Sequence, residues 1–172
     1  QILKVLAKQP DGVMTGTSGT PAALPFLALK DRGYKGKIYG MHSLINPAFM
    51  KLAGDSIEGL ICPAGPESVA EQLPEDNPMR QMTEVFRKAF EETTGQTTKN
   101  PFAAYSFDSW LLFLDAAERV PDNVEPGTSE FRAALHEALT STKDVTGTMG
   151  IYNFNPEDRY GVDQRAAGLV EY

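Results

Sequence analysis

The sequence predicts an α/β fold built around a parallel sheet. Three short β-prone runs lie at residues 12–16, 37–41 and 57–62, and helical segments separate them. Both connections are therefore crossovers, which join parallel strands with a right-handed turn. The composition agrees with a packed core, because hydrophobic residues make up 41% and charged residues 23% of the 172 residues. Such values are typical of soluble globular proteins.

Apolar spacing predicts the first helix, and capping residues predict the bounds of the next two. The chain opens with an amphipathic helix whose apolar side is formed by Ile2, Val5 and Leu6. The next helix spans residues 20–33 with Thr20 as its N-cap, and Pro25 lies deep enough in it to cause a kink. A shorter helix follows its N-cap Asn46 and ends before Gly54.

The second half of the chain is mostly helical. A proline-rich stretch without periodicity, residues 63–78, predicts a linker or hinge. Three amphipathic helices should follow at 78–94, 101–119 and 129–140. The chain then returns to β character at residues 147–154, turns at 155–158, and ends in a last strand at 166–172.

Charge and cysteine content exclude several kinds of site. Sixteen Lys and Arg against 23 Asp and Glu give a net charge of -7, which repels the phosphates of nucleic acids. The single cysteine and the two histidines lie at Cys62, His42 and His136, without metal-ligand spacing. We therefore expect no metal and no cofactor. No apolar run approaches the roughly 20 residues of a membrane span.

The two loops that follow the first two strands are the candidate binding site. In open parallel sheets, ligands bind beyond the carboxyl ends of the strands. In the first loop, backbone N–H groups and hydroxyls precede a helix start and suit a carboxylate. An ordinary strand-to-helix turn would have the same composition. The candidate ligand-binding residues are Thr17, Ser18, Gly19, Thr20, Met41, His42 and Ser43.

Known nucleotide and hydrolase motifs do not match these loops. The first loop lacks the lysine of a P-loop and the spacing of the dinucleotide fingerprint. A serine-hydrolase elbow centred on Ser18 needs glycine at the position of Thr20. His42 could donate to an anion, serve as a base, or be a structural histidine. An enzyme using Ser18 and His42 is thus a poorly supported alternative, which ester-hydrolysis assays with Ser18→Ala would test.

The aromatic residues near position 105 have two interpretations. Phe107, Trp110, Leu111 and Leu114 have the spacing of a buried helix face, which predicts core packing. Tyr105 lies apart from that face and is the one aromatic residue predicted to line a ligand cleft.

Five stretches resemble, in order and spacing, the type I solute-binding proteins of branched-chain amino acid ABC importers. No single stretch is diagnostic, but together they cover nearly the whole chain. They are Asp-Gly-Val-Met-Thr-Gly at 11–16, Gly-Tyr-Lys-Gly-Lys-Ile-Tyr-Gly at 33–40, Leu-Ala-Gly-Asp-Ser-Ile-Glu-Gly at 52–59, Pro-Phe-Ala-Ala-Tyr-Ser-Phe-Asp-Ser at 101–109, and Val-Thr-Gly-Thr-Met-Gly-Ile-Tyr-Asn-Phe at 145–154.

The resemblance implies a two-lobed periplasmic protein without catalytic activity. Each lobe is a three-layer α/β/α unit, and the lobes close on a small ligand that is passed to an ABC transporter permease. The resemblance assigns residues 1–63 to the second lobe, 64–77 to the hinge, 78–145 to helices returning to the first lobe, and 146–172 to the second lobe again. It also implies a missing amino-terminal half, so that the two-lobed architecture is incomplete here.

The resemblance also bears on the ligand. In amino acid binders, the loop matching residues 16–20 supplies a polar or aromatic contact, and the loop matching 41–43 supplies an acid that holds the ligand's ammonium group. Ser18 and His42 stand at those positions. An imidazole lacks the fixed negative charge that a buried ammonium requires. We therefore expect the ligand to be a carboxylate without an amino group, and aromatic acids are the first choice. A branched-chain amino acid is the alternative ligand. A sensor is the alternative role for the protein.

Overall fold

The computed structural model describes residues 1–98 and 100–172, which form two compact units. Unit 1 contains residues 1–64 and 168–172, and unit 2 contains residues 65–167. In chain order the elements are α1 (Ile2–Leu6), β1 (Gly12–Met14), α2 (Ala23–Asp31), β2 (Lys37–Tyr39), α3 (Pro47–Ala53), β3 (Leu60–Ala64), α4 (Pro78–Thr94), α5 (Pro101–Glu118), α6 (Ser129–Thr140), β4 (Val145–Thr146), β5 (Ile151–Tyr152) and β6 (Gly168–Glu171).

Unit 1 is built on a sheet with the strand order β1-β2-β3-β6. The first three strands are parallel, with Val13 opposite Ile38 and Ile38 opposite Leu60. β6 is antiparallel to β3, with Ala64 opposite Gly168. The predicted α/β class with a mostly parallel sheet is therefore confirmed, and the last strand closes one edge in the opposite direction.

Helices α2 and α3 cover one face of this sheet. Val13, Ile38 and Leu60 point to that face and pack with Phe26 of α2 and Phe49 of α3, whose rings meet edge to face at 5.9 Å. The opposite face carries exposed side chains, namely Met14, Tyr39 and Leu169. Because the structure describes helices on one face only, the second helical layer of a three-layer lobe stays a prediction.

Several predicted bounds in unit 1 need correction. A 3-10 turn, Thr20–Ala22, precedes α2, so Thr20 is not its N-cap. Pro25 lies in the first turn of α2, where its missing N–H is tolerated and no kink forms. The third strand begins at Leu60 and not at residue 57, because a 3-10 turn and Gly59, with φ 78°, precede it. Val5 is exposed, whereas Ile2 and Leu6, the other two residues of the predicted apolar side of α1, pack against the core.

The helices of unit 2 follow their predicted bounds closely. The side chain of Asn77 caps α4, and Gly95 ends it in the left-handed region with φ 67°. Asn100 caps α5 and Thr128 caps α6 in the same manner. The predicted turn after residue 154 is confirmed, because Asn155 Oδ1 accepts hydrogen bonds from the two backbone N–H groups of residues 157 and 158.

The predicted buried face of α5 is confirmed only in part, because Phe107 packs against Phe86 with ring centroids 5.2 Å apart, whereas two other residues of that face are exposed. Trp110 is 56% exposed, and its ring stacks on that of Phe113 at 5.2 Å. Leu114 is also exposed, whereas Ala104 and Asp108 are buried. Ala104, Phe107 and Asp108 face the rest of unit 2, whereas Trp110 and Leu114 lie on the surface of the described chain. Among the described residues, no helix combines the length and apolarity needed to span a membrane.

The resemblance assigns residues 146–172 to the same lobe as residues 1–63. In the structure, residues 146–167 lie in unit 2. Strands β4 and β5 form an antiparallel hairpin within that unit. The backbone N–H of Phe154 donates to the carbonyl of Thr142, and Thr148 and Met149 bond to Asp108 of α5. These contacts attach the hairpin to the helices, and only residues 168–172 join unit 1. The assignment of either unit to a lobe stays a prediction.

Candidate functional site

The parallel strands of unit 1 end at one edge of the sheet, where the two candidate loops begin. Met14 lies opposite Tyr39, and Tyr39 lies opposite Ile61. The ladder extends by one residue at each step, because Thr15 N donates to Tyr39 O and Gly40 N donates to Ile61 O, both at 3.0 Å. The loops at 16–20 and 41–43 therefore leave the same edge of the sheet.

The two loops contact each other. Ser43 Oγ donates a long hydrogen bond of 3.5 Å to the carbonyl oxygen of Thr17. Thr17, Ser18 and Thr20 are exposed, as are the side chain of Met41 and the backbone of Gly19, while His42 and Ser43 are half-buried. The structure thus brings together seven of the eight candidate residues as one polar, accessible surface.

Two glycines shape this surface. Gly19 has φ 68°, in the left-handed region that glycine adopts without strain, and it turns the first loop into the 3-10 turn that precedes α2. At Gly40 a Cβ would collide with Leu44 and lie 3.0 Å from Cys62 Sγ. The absence of a side chain at residue 40 therefore lets Leu44 and Cys62 pack closely against the start of the second loop.

His42 is the one ionisable side chain in the two loops. It is the first residue of a 3-10 turn, His42–Leu44, and is half-buried. Burial lowers its pKa below the ordinary value of 6.5, which favours the neutral imidazole at neutral pH. A neutral imidazole can still donate an N–H hydrogen bond to an anion, and an anion beside it would raise its pKa again.

Tyr105, the eighth candidate, belongs to unit 2. It lies on α5 with 42% of its surface exposed. Burial raises the pKa of its phenol, and the charge of Asp108, one turn away, raises it further. The hydroxyl therefore stays protonated and able to donate.

The sequence did not predict the buried carboxylate that fixes the turn of α5 next to Tyr105. Asp108 accepts four hydrogen bonds, from Thr148 N at 2.7 Å, Thr148 Oγ1 at 2.9 Å, Met149 N at 2.9 Å and the Tyr152 hydroxyl at 2.8 Å. Burial, followed by the charge of Asp108, raises the pKa of Tyr152. A Cβ on Gly147 would lie 2.6 Å from Asp108 Cγ, so glycine is required there.

A buried ion pair lies where the chain enters unit 2. The Glu67 side chain is fully buried and accepts a hydrogen bond of 3.1 Å from Arg87 of α4. The same guanidinium donates to the Glu67 carbonyl at 2.9 Å and to Glu71 at 2.8 Å. This residue pair fixes the segment that follows β3. Residues 63–78 contain three glutamates and one aspartate, so the sequence does not single out Glu67 as the buried one.

No metal-binding cluster of three or more His, Cys, Asp or Glu side chains occurs in residues 1–98 and 100–172. A cavity of about 390 Å³ lies at the opposite, amino-terminal edge of the sheet in unit 1. It is lined by Lys30, Lys35, Lys37, Asp55 and Glu58 among others. The cavity is therefore separate from the candidate loops.

Comparisons with known proteins were made on the whole chain. The family model for periplasmic binding proteins matches residues 1–167. Two extracellular ligand-binding receptors from Rhodopseudomonas palustris HaA2 have similar structures. One is 35% identical to this chain, and the similarity covers 100% of this chain and 48% of the receptor, with a TM-score of 0.91. The other is 36% identical to this chain, and the similarity covers 99% of this chain and 47% of the receptor, with a TM-score of 0.93.

A more distant similarity links the chain to a Rhodospirillum rubrum protein, provisionally described as a branched-chain amino acid ABC transporter. The two are 25% identical over 99% of this chain and 44% of the other, with a TM-score of 0.69. No curated protein sequence matches the chain. The chain spans about half the length of these solved relatives. Since the family model matches nearly all of its residues, the chain belongs to the periplasmic binding protein family.

Proposed function

We propose that this chain is part of an extracytoplasmic, periplasmic solute-binding receptor that delivers a small carboxylate to the permease of an ABC importer. Aromatic or other organic acids are the favoured ligands. The receptor performs no chemistry, and its ligand favours the closed state through contacts made from both lobes. Thr17, Ser18, Gly19, Thr20, Met41, His42 and Ser43 are the proposed contacts in unit 1, and Tyr105 is the proposed contact in unit 2.

The contact between the two loops is the observation that carries this proposal. Ser43 Oγ bonds to the Thr17 carbonyl, so hydroxyls and backbone N–H groups from both loops lie within reach of one small molecule. The surface is formed by consecutive parallel strands at their carboxyl ends, where α/β proteins bind ligands.

The charges of the two loops favour an anionic ligand. Neither residues 16–20 nor residues 41–43 include an aspartate or a glutamate. A buried ammonium group would therefore lack a charged partner in these loops, at a cost of several kcal/mol. The half-buried His42 offers an N–H donor, which suits a carboxylate oxygen.

A branched-chain amino acid is the alternative ligand within the same function. It is favoured by the similarity to the Rhodospirillum rubrum protein, whose description names branched-chain amino acids. The two ligand classes share a carboxylate and differ in the ammonium group.

Exposed apolar surfaces support the proposal that a further, amino-terminal half completes the receptor. In unit 1, Met14 is 67% and Leu169 is 76% exposed on the free face of the sheet. In unit 2, the stacked rings of Trp110 and Phe113 lie on the surface. Large apolar side chains exposed to this extent support the presence of a further part of the protein that covers them.

Isothermal titration calorimetry on the full-length protein tests the proposal with benzoate and leucine as probes. We expect benzoate-type acids to bind and leucine to bind weakly or not at all. His42→Ala should weaken binding by about 1–3 kcal/mol, or roughly fivefold to 150-fold, if the imidazole pairs with a buried carboxylate. His136→Ala, at an exposed histidine of α6, is the matched control.

Two results would contradict the proposal. Tight binding of leucine without binding of benzoate-type acids would replace the proposed ligand class with the alternative. Equal affinities of the wild type and His42→Ala would show that the imidazole has only a structural role.

A further inference from the structure

The described chain passes between the two units at two places that lie side by side in the sheet of unit 1. Unit 1 stops at Ala64 and resumes at Gly168. These two residues are partners at one end of the antiparallel β3–β6 ladder. Two neighbouring strands therefore leave the same end of that ladder and enter unit 2.

On each of these strands, one residue separates the ladder from a turn of unit 2. On the outgoing strand, a 3-10 turn begins at Pro66, directly after Gly65. On the returning strand, a 3-10 turn ends at Ala166, directly before Ala167. Gly65 and Ala167 are therefore the only positions between the ladder and these turns.

Hydrogen bonds hold both turns within unit 2. Arg87 of α4 donates to the Glu67 carbonyl at 2.9 Å, and the Ala166 N–H donates to the Asp163 carbonyl at 3.0 Å. Hinges in proteins are a few residues that absorb a change in backbone torsions. A change in the direction of the two strands relative to unit 2 therefore falls mainly on the single residue that precedes or follows each turn.

The side chain of Met149 packs directly against Gly65. Met149 is 3% exposed and belongs to the buried cluster of unit 2 that includes Phe86 and Ala104. A Cβ at residue 65 would collide with the terminal methyl group of Met149 and would lie 3.2 Å from its sulfur. Met149 thus connects the outgoing strand to the core of unit 2.

The next residue of the same hairpin contacts the returning strand. A Cβ at Gly150 would lie 3.4 Å from the Cβ of Ala166 and 2.8 Å from Val162 Cγ1. The hairpin is itself held in place, because the Met149 N–H donates to the buried carboxylate of Asp108 at 2.9 Å. The two hairpin residues therefore support both strands where the strands join unit 2.

We infer that Gly65 is a pivot of the motion that closes the receptor and that Met149 is its positioning residue. The Met149 side chain sets the conformation of Gly65 and so the direction in which the outgoing strand leaves unit 2. The inference rests on the proposed function, because it requires a ligand that favours a closed state. It gives residues outside the candidate loops a role in ligand affinity.

A double-mutant cycle in the full-length protein tests this role. Gly65→Ala places a methyl group against Met149, and alanine tolerates the backbone there, with φ -82° and ψ 165°. Met149→Leu shortens the opposing side chain at nearly constant volume. Gly65→Ala should weaken ligand binding by about threefold to thirtyfold, within the range of couplings between contacting residues, and adding Met149→Leu should recover most of the loss.

Calorimetry with benzoate or leucine, whichever binds the wild type, measures the affinities. Gly168→Ala is the matched control, because it adds the same methyl group to the returning strand, where it would meet no described atom within 4 Å. It should leave the affinity within about twofold of the wild type. Equal losses of affinity in Gly65→Ala and Gly168→Ala would overturn the inference, as would strictly additive effects of Gly65→Ala and Met149→Leu.

Small-angle X-ray scattering separates positioning from packing alone. The bound probe should lower the radius of gyration of the wild type and of the double variant, and should lower that of Gly65→Ala less. Coupling that appears only in the melting temperatures, with unchanged affinities, would mean that the contact has a packing role and would contradict the inference. Failure of the proposed function would instead appear as the absence of binding heat for both probes with the wild type.

Discussion

Asp108 is predicted to be a main source of stability in unit 2, and Asp108→Asn tests this directly. The carboxylate accepts hydrogen bonds from Thr148 N, Thr148 Oγ1, Met149 N and the Tyr152 hydroxyl, at 2.7–2.9 Å. Oδ1 serves Thr148, and Oδ2 serves Met149 and Tyr152. An asparagine keeps one oxygen as an acceptor but places an amide NH₂ group at the other position.

The magnitude follows from what the substitution leaves unpaired. The Tyr152 hydroxyl can rotate and accept from the new NH₂ group, whereas the Met149 N–H cannot. A buried donor without a partner costs about 1–3 kcal/mol, and the remaining bonds weaken because hydrogen bonds to charged groups are stronger than neutral ones. We expect Asp108→Asn to lower the free energy of unfolding by about 2–4 kcal/mol, a large part of the roughly 5–15 kcal/mol of a typical protein.

Urea denaturation followed by circular dichroism at pH 7 measures this change. Glu118→Gln, at an exposed carboxylate near the end of the same helix, is the control and should change the free energy of unfolding by no more than about 0.5 kcal/mol. A loss for Asp108→Asn as small as that of the control would refute the reasoning, because it would mean that the four hydrogen bonds stabilise no more than an exposed residue does.

Two further predictions concern other buried groups. Arg87→Ala leaves the fully buried carboxylate of Glu67 without its cation and should lower the free energy of unfolding by about 3–5 kcal/mol. The control, Lys88→Ala, removes an exposed ion pair and should change the free energy of unfolding by at most about 1 kcal/mol. Equal effects of the two variants would contradict the role of the buried pair. Burial raises the pKa of the Cys62 thiol to about 11, from 9.0, so the native state holds its proton more tightly than the unfolded state. The buried thiol therefore contributes stability that is present below pH 9 and is lost as the pH rises through 11. The melting temperature of Cys62→Ala should depend less on pH between 9 and 11 than that of the wild type.

The helix bounds of unit 2 were predictable because their signals lie within a few residues of each helix end. Asn77 accepts hydrogen bonds from the N–H groups of residues 79 and 80, and Gly95 adopts the left-handed conformation that ends α4. The third strand was less predictable. Residues 57–59 have β-prone neighbours, but the positive φ of Gly59 delays the start of the strand until Leu60.

Exposure was the property that the sequence pattern misjudged. The spacing of Trp110 and Leu114 identifies an apolar stripe on α5, and the structure confirms the helix. Trp110 and Leu114 are exposed because the described residues of unit 2 pack against Ala104, Phe107 and Asp108 on another side of α5. A periodic pattern shows which residues share a side of a helix, but it does not show which side the rest of the chain covers.

The sequence by itself determined the alternation of strands and helices, and the rule for parallel sheets then selected the loops at 16–20 and 41–43. Only the tertiary structure decided that these loops touch through Ser43 and Thr17 and that Asp108 reaches residues about 40 positions further along the chain. The physical reason is the range of the interactions. Caps and turns depend on neighbouring residues, whereas burial and long-range hydrogen bonds depend on where the whole chain passes.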